Sequence, residues 1–252
     1  MKRQSNSTSS ELCLEASSDF AVNNLKVTAG FRTHDAEVLA GGPLKVEFFV
    51  ENDNAAPLYL SVRGDRARLR QANFSFAAAV EGKEVNLDDP AAKTMDLGGL
   101  GTAAKIETGA PYRRMLLVNE FVRLEKLVAA LTSGEVVMLR LRCQSPLQLA
   151  GSIEQVFKSR AEGRVADVAL TIHVRRDDAA LEALIARLAA EIDANRTGAV
   201  SAERELAIAE LGALRHPAAV PYLQNLSNHP DPVVQIYAQR TLAIMKPVGW
   251  GE

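Results

Sequence analysis

Apolar and polar residues alternate in several short segments between residues 20 and 176. In residues 134–143, for example, every second residue from Val137 to Leu141 is apolar, and two arginines fall on the opposite side. A period of two is typical of strands that bury one face. Clusters of Gly, Pro and Asp separate the segments, which favours an antiparallel β-sandwich of about seven strands. The clearest strand segments are residues 44–52, 58–62, 72–87, 134–143 and 165–174.

The first two of these segments are separated by the polar sequence NDNAAP. Two β-forming runs joined by a short stretch of turn residues are typical of a hairpin. We therefore predict that residues 44–52 and 58–62 pair with each other.

The period of the pattern changes at Asp177 and Asp178. From there, apolar residues recur every three or four positions, as they do on the buried side of a helix. An Asp at this point is suited to cap the first helical turn. No flexible linker follows the last strand, so we expect the β region and the helical region to be rigidly joined. The apolar positions are Leu181, Leu184, Ile185, Leu188 and Ile192.

A second helical pattern occurs twice near the end of the chain, at a fixed offset. The later copy begins with Asp231 and Pro232, which suit the N-cap and the first position of a helix. A shorter apolar pattern at Val220, Leu223 and Leu226 precedes it and predicts a partner helix. The aligned positions are Arg204 with Gln235, Ala207 with Ala238, Leu211 with Leu242, and Leu214 with Met245.

The sequence AAVPYLQNL, followed by HPDPVVQIYAQRTLAIM, resembles a HEAT repeat of the short bacterial type. In that family, the first helix carries a Val-Pro-x-Leu pattern, and the second follows an Asp-Pro turn with Ala and Leu facing inward. The resemblance extends over residues 180–246 and implies helical hairpins that bind a partner. Gln235 stands where the family usually has arginine, which puts a ladder of ion pairs between repeats in doubt.

Residues 40–145 resemble bacterial Ig-like domains, including the type found in intracellular proteinase inhibitors. The sequence GPLKVEFFVENDNAAPLYLSV and the strand at residues 134–141 carry this resemblance. The expected fold is therefore multidomain α and β, with an N-terminal antiparallel Ig-like β-sandwich followed by a C-terminal α-helical HEAT-like repeat unit. The predicted parts are a disordered segment (1–19), the sandwich (20–176), the helical unit (177–247) and a tail (248–252).

Two helical hairpins are fewer than the three or so that a repeat array needs to be stable. We therefore expect the helical unit to lie against the β-sandwich or against another chain.

The chain has 252 residues, of which 47% are hydrophobic, and its formal net charge is −2. A charge near zero argues against electrostatic binding to nucleic acid or to an anionic membrane. No apolar stretch approaches the roughly 18 residues that span a bilayer. The first 19 residues have no apolar core typical of a signal peptide. We expect a cytoplasmic protein by default, and an extracytoplasmic one if a signal has been removed.

The two cysteines, Cys13 and Cys143, lie far apart and lack metal-ligand spacing. Two separate thiols are the favoured interpretation, and a disulfide between the first strand and a later one is the alternative.

Motifs for catalysis, metal binding and cofactor binding are not found. The four histidines lack metal-ligand spacing, and GGLGTAA at residues 98–104 follows no clear strand. We therefore predict a protein with no catalytic residues, metal or cofactor. An enzyme with an unrecognised site is the remaining possibility, and its candidate carboxylates are Asp88, Asp89, Asp96 and Glu120.

The predicted function is non-catalytic binding of a partner protein, as an interaction or scaffold protein. One candidate surface is a sheet face bearing arginines, and the other is the helical unit. The alternative function is inhibition of a proteinase through a sandwich loop at residues 91–110. The candidate binding residues are Arg66, Arg68, Arg70, Arg140 and Arg142 on the sheet, and Gln235, Arg240 and Trp250 in the helical unit and tail.

Overall fold

The computed structural model describes residues 14–22, 25–65, 70–71, 73–90, 101–158, 165–194 and 202–245. These residues form strands and α-helices, with 3-10 turns at Val118–Glu120 and Pro217–Ala219. The strands are β1 (Leu14–Val22), β2 (Leu25–Thr33), β3 (Glu37–Leu39), β4 (Lys45–Asn52), β5 (Leu58–Asp65), β6 (Arg70–Gln71), β7 (Ser75–Val80), β8 (Lys83–Val85), β9 (Gly101–Ile106), β10 (Tyr112–Leu117), β11 (Val136–Pro146), β12 (Leu149–Ala150) and β13 (Val165–Arg175). The helices are α1 (Lys126–Ala130), α2 (Ile153–Lys158), α3 (Asp178–Ala194), α4 (Ala202–Ala213), α5 (Val220–Leu226) and α6 (Pro232–Met245).

The strands form three sheets. Sheet 1 has the order β1-β2-β4-β10 and is antiparallel. Sheet 2 has the order β3-β13-β11-β7-β8, in which only the β3–β13 pair of these described strands is parallel. Sheet 3 is built on β5, which pairs with β12, β6 and β9. The protein is therefore mostly β, and its longer helices lie at the C-terminal end.

The inward side chains of sheets 1 and 2 meet in a hydrophobic cluster. Phe31 of β2 lies 5.1 Å from Phe48 of β4 and 6.4 Å from Phe76 of β7, measured between ring centroids. Such tilted and edge-on ring contacts suit the charge distribution of aromatic rings. The alternation at residues 134–143 is confirmed, because β11 buries every second side chain from Val137 to Cys143.

The predicted hairpin between residues 44–52 and 58–62 is wrong. The first segment is β4 of sheet 1, and the second lies in β5 of sheet 3. Asn52, at the end of β4, donates hydrogen bonds from Nδ2 to the carbonyl oxygens of Ala56 and Ile106, at 2.9 and 3.0 Å. These bonds hold the connection as it crosses from one sheet to the other.

The predicted helices exist, but no clear repeat region is evident. Ala207, Leu211 and Ala238 are buried in α4 and α6, as the alignment expected. Their partner helices differ, however, because α3 has 17 residues and α5 has seven. The segment before α5 forms a 3-10 turn that begins at Pro217, which shortens the second hairpin. In the described segments, no helix is long and apolar enough to cross a membrane.

The helices do not stand free in solvent. Leu39 of β3 packs against the hydrophobic cluster of α3–α6. Lys45 Nζ of β4 lies 3.2 Å from Glu210 Oε1 of α4. Arg176, between β13 and α3, donates from Nη1 to the carbonyl oxygens of Val128 and Leu131. The expectation that the helical unit lies against the sheets is therefore confirmed.

Candidate interaction surface

Alternate side chains of β11 point away from the hydrophobic cluster and form the middle of an exposed surface. We call this surface the outer face of sheet 2. On β11 its residues are Val136, Met138, Arg140, Arg142 and Gln144, and on β13 they are Val165, Asp167, Ala169, Thr171, His173 and Arg175. These side chains are exposed or half-buried because the residues that alternate with them along each strand point inward and fill the core.

Arg142 is already paired within this face. Its Nε donates to Asp167 Oδ1 at 2.8 Å, and its Nη2 donates to Asp167 Oδ2. Gln144 Nε2 donates to the same carboxylate at 3.0 Å. The hydrogen bond from Arg142 lowers the pKa of Asp167, so this carboxylate stays ionised and neutralises Arg142.

Arg140 is the arginine of β11 that lacks such a partner. It lies opposite Thr171 of β13 on one side and Ala79 of β7 on the other. Its side chain is exposed, and it forms no ion pair with any residue that the structure describes. An arginine between small neighbours can present its donors to an incoming carboxylate with little obstruction.

Two large apolar side chains lie on the same strand as Arg140. Val136 is 50% exposed, and Met138 is 48% exposed. Their cross-strand neighbours on β13 are Arg175 and His173. Flexible methionines and arginines are both enriched at protein-binding surfaces. Met138 is not among the predicted binding residues. Its position could have indicated it, because it is an apolar residue on the otherwise polar side of an alternating strand.

The structure brings together two of the predicted binding residues, Arg140 and Arg142. Arg70 belongs to β6 of sheet 3, so its strand does not lie in the sheet of β11. Gln235 and Arg240 belong to α6, where Gln235 is partly exposed. Arg66, Arg68 and Trp250 lie outside the described residues.

The predicted inhibitory loop at residues 91–110 is described only in its second half. Residues 101–106 form β9, which pairs with β5 along its whole length. The next residues make a turn closed by a bridge between Glu107 and Ala110. The described half of the predicted loop, residues 101–110, is therefore a paired strand followed by a tight turn.

Asp88, one of the carboxylates considered for an enzyme, is already paired with a lysine. Lys126 Nζ lies 2.5 Å from Asp88 Oδ2, and this hydrogen bond lowers the pKa of Asp88. Asp96 lies outside the described residues. Within the described segments, no group of three or more His, Cys, Asp or Glu side chains is arranged to hold a metal ion.

One small cavity lies where side chains of all three sheets meet. Its volume is about 10 Å³, room for about one water molecule and far below the roughly 300–1,000 Å³ of most ligand pockets. Tyr112 is the titratable side chain of a lining that is otherwise apolar or uncharged. The lining residues are Phe48, Leu60, Ser61, Val62, Asn73, Phe74, Tyr112, Ser145 and Pro146.

Cys143 is a free thiol on the buried side of β11. Burial raises its pKa far above the usual range for a thiol, which leaves it protonated and unreactive. Cys13 lies outside the described residues, and the predicted alternative of a disulfide does not fit a free Cys143.

No protein-family model and no curated protein match this chain. Its structure is similar to that of Spo0M, a sporulation control protein from Bacillus subtilis, with 10% identity, a TM-score of 0.27 and 67% of this chain covered. The match spans about half of the Spo0M chain (55%).

Two further structures are similar at the same level. The first is the complex of zinc 2-glycoprotein with prolactin inducible protein from human seminal plasma, with 6% identity, a TM-score of 0.25 and coverage of 68% of this chain and 100% of that one. The second is AvmM, which catalyses macrocyclization in alchivemycin A biosynthesis, with 10% identity, a TM-score of 0.19 and coverage of 62% and 96%. Similarities this distant concern the β-rich fold and carry no argument about function.

Proposed function

We propose that this protein is a non-catalytic interaction protein, in which Ig-like sheets present the outer face of sheet 2 to a partner protein. The partner segment carries an acidic side chain for Arg140 and a large apolar side chain for Met138. Gln235 and Arg240 of α6, together with Trp250 of the predicted tail, remain a second predicted contact region.

The exposed pair of Arg140 and Met138 supports this proposal. Their side chains point from the same face of β11, two positions apart, and among the described residues no other layer covers them. Arg142 contributes less, because Asp167 already occupies its guanidinium. Central arginine and apolar anchors commonly supply most of the binding free energy at protein interfaces.

A peptide library tests the proposal without a known partner. Random peptides displayed on phage are panned on the full chain, and the enriched clones are measured on single variants. We expect enriched clones to combine an acidic and a large apolar residue. They should bind the Arg140→Glu variant at least about tenfold more weakly, or ~1.4 kcal/mol.

The matched control is Arg187→Glu, which reverses the charge of an exposed arginine on α3, far along the chain from β11. This variant should bind the clones as the unmodified chain does. The proposal is wrong if the clones bind the Arg140→Glu variant unchanged, or if no clone is enriched over an empty surface.

A further inference from the structure

The outer face of sheet 2 presents its two anchors at a fixed spacing. Met138 and Arg140 are two positions apart on β11, and the residue between them is buried. Residues two apart on a strand lie roughly 7 Å from each other on the same face. An extended segment matches both anchors when its own apolar and acidic side chains are also two positions apart.

The neighbours of Arg140 leave room for such a segment. Thr171 of β13 and Ala79 of β7 lie opposite it, and both side chains are small. The row continues from Ala79 to Glu84 of β8, which is two strands away from β11. Strands are spaced about 4.8 Å apart, so Glu84 lies to one side of Arg140 and forms no ion pair with it.

This chain contains a segment with the matching spacing. Residues 246–252, which we call the C-terminal segment, have the sequence KPVGWGE and lie outside the described residues. Trp250 and Glu252 are two positions apart, as Met138 and Arg140 are. A glycine on each side of the tryptophan leaves no neighbouring side chain to obstruct its approach to a flat sheet. Tryptophan is among the commonest anchors of protein interfaces, and a carboxylate can accept two hydrogen bonds from one arginine.

The position of α6 favours a second copy as the source of the segment. α6 ends at Met245 and packs against α4 and α5. α4 lies against β10, and its Glu210 pairs with Lys45 on the outer side of sheet 1. Sheet 2 is a further layer about 10 Å beyond sheet 1, and its outer face points away from α4. Five extended residues span at most about 18 Å. The segment of a second copy can approach this face directly, whereas that of the same chain has to pass around the sandwich.

We infer that the C-terminal segment of one copy binds the outer face of sheet 2 of a second copy. Trp250 packs on Met138, and the Glu252 carboxylate accepts hydrogen bonds from Arg140. Exchange of the segments in both directions gives a symmetric dimer. The inference rests on the proposed function, because it uses the same face. Self-association then hides this face until a partner protein displaces the segment.

Tryptophan fluorescence tests the inference in the full chain, because Trp250 is its single tryptophan. The chain is concentrated from about 1 to 100 μM, a range suited to weak association. We expect the emission maximum to move to shorter wavelength while sedimentation velocity shows a dimer forming. Arg140→Glu should raise the midpoint concentration at least about tenfold, because Glu252 then meets a second carboxylate. The control Arg187→Glu should leave the midpoint unchanged.

A charge exchange shows whether the contact joins two copies. Glu252→Arg should weaken the association as Arg140→Glu does, because two arginines then meet. Mixing the two variants should restore the association, since each face then meets a segment of opposite charge. Neither variant has such a pair within its own chain. An emission maximum that ignores concentration, an Arg140→Glu variant that associates normally, or no recovery on mixing would overturn the inference.

The results also separate this inference from the proposed function. Phage clones that depend on Arg140, with Trp250 emission that ignores concentration, would support a partner protein and exclude the C-terminal segment as an occupant. Emission that responds to concentration and to Arg140→Glu, with no enriched clone, would support self-association and contradict the proposed function.

Discussion

Replacing Asn119 by alanine should destabilise the β-sandwich more than the loss of so few side-chain atoms suggests. Asn119 is buried just after β10, and both ends of its side-chain amide bind the backbone that follows β3. Its Oδ1 accepts a hydrogen bond from the Leu44 N–H at 2.8 Å. Its Nδ2 donates to the Gly42 carbonyl oxygen at 2.9 Å. Alanine removes both bonds and leaves two buried backbone groups without partners.

The expected loss of stability follows from the number of backbone groups left without partners. A buried polar group without a partner costs about 1–3 kcal/mol, so two such groups imply a loss of about 2–6 kcal/mol. A typical domain has a free energy of unfolding of only about 5–15 kcal/mol. Asn119→Asp should not rescue the loss, because its second carboxylate oxygen cannot donate to Gly42 and its charge would be buried.

Urea unfolding followed by far-UV circular dichroism measures the change, as the shift in midpoint at constant slope. The control is Asn225→Ala, which removes an exposed amide from α5 and should change stability by less than about 0.5 kcal/mol. A loss below about 1 kcal/mol for Asn119→Ala would refute the reasoning, since water or backbone movement would then satisfy both groups.

Two further outcomes can be measured directly. Gly30→Ala should destabilise sheet 1, because an added Cβ would lie 2.3 Å from the Ala16 carbonyl oxygen of β1; thermal unfolding tests this, and an unchanged melting temperature contradicts it. The carboxyl of Asp167 should titrate below its ordinary value of 3.8, because Arg142 favours its ionised form. Its contribution to stability is therefore present above the unfolded pKa and is lost as pH falls through the lower folded pKa. In an NMR titration, Arg142→Gln should raise the midpoint, and an unmoved midpoint counts against the ion pair.

The strands could be predicted where one face is buried and the other exposed. In β11 and β13 the alternation of burial matches the alternation of residue types, because each inward residue meets the core. The same reasoning could not tell which strands pair. β4 pairs with β2 and β10, which lie on either side of it in the chain, and not with the next strand, β5. Pairing depends on contacts between residues far apart in the sequence, which a local pattern does not contain.

The helical region shows the same limit in another form. The helical periods located α3, α4 and α6, because an apolar stripe at helical spacing needs a buried face. The same periods did not establish a repeat. Two helical hairpins are repeats of each other only if their helices have similar lengths and similar packing partners. The sequence also could not show that Arg215 Nη1 lies 3.6 Å from Glu125 Oε2, because the two residues are far apart in the chain and meet only in the folded structure.

The difference between Arg140 and Arg142 explains why the candidate surface could be predicted only in part. Their spacing in the sequence places both on the exposed side of one strand, and nothing local distinguishes them. Only the register of β11 against β13 places Asp167 within reach of Arg142 and gives Arg140 a threonine as its neighbour. Whether an arginine on this face is free to bind a partner therefore depends on its neighbours on the adjacent strand. The sequence pattern can identify such an arginine only once the register of the two strands is known.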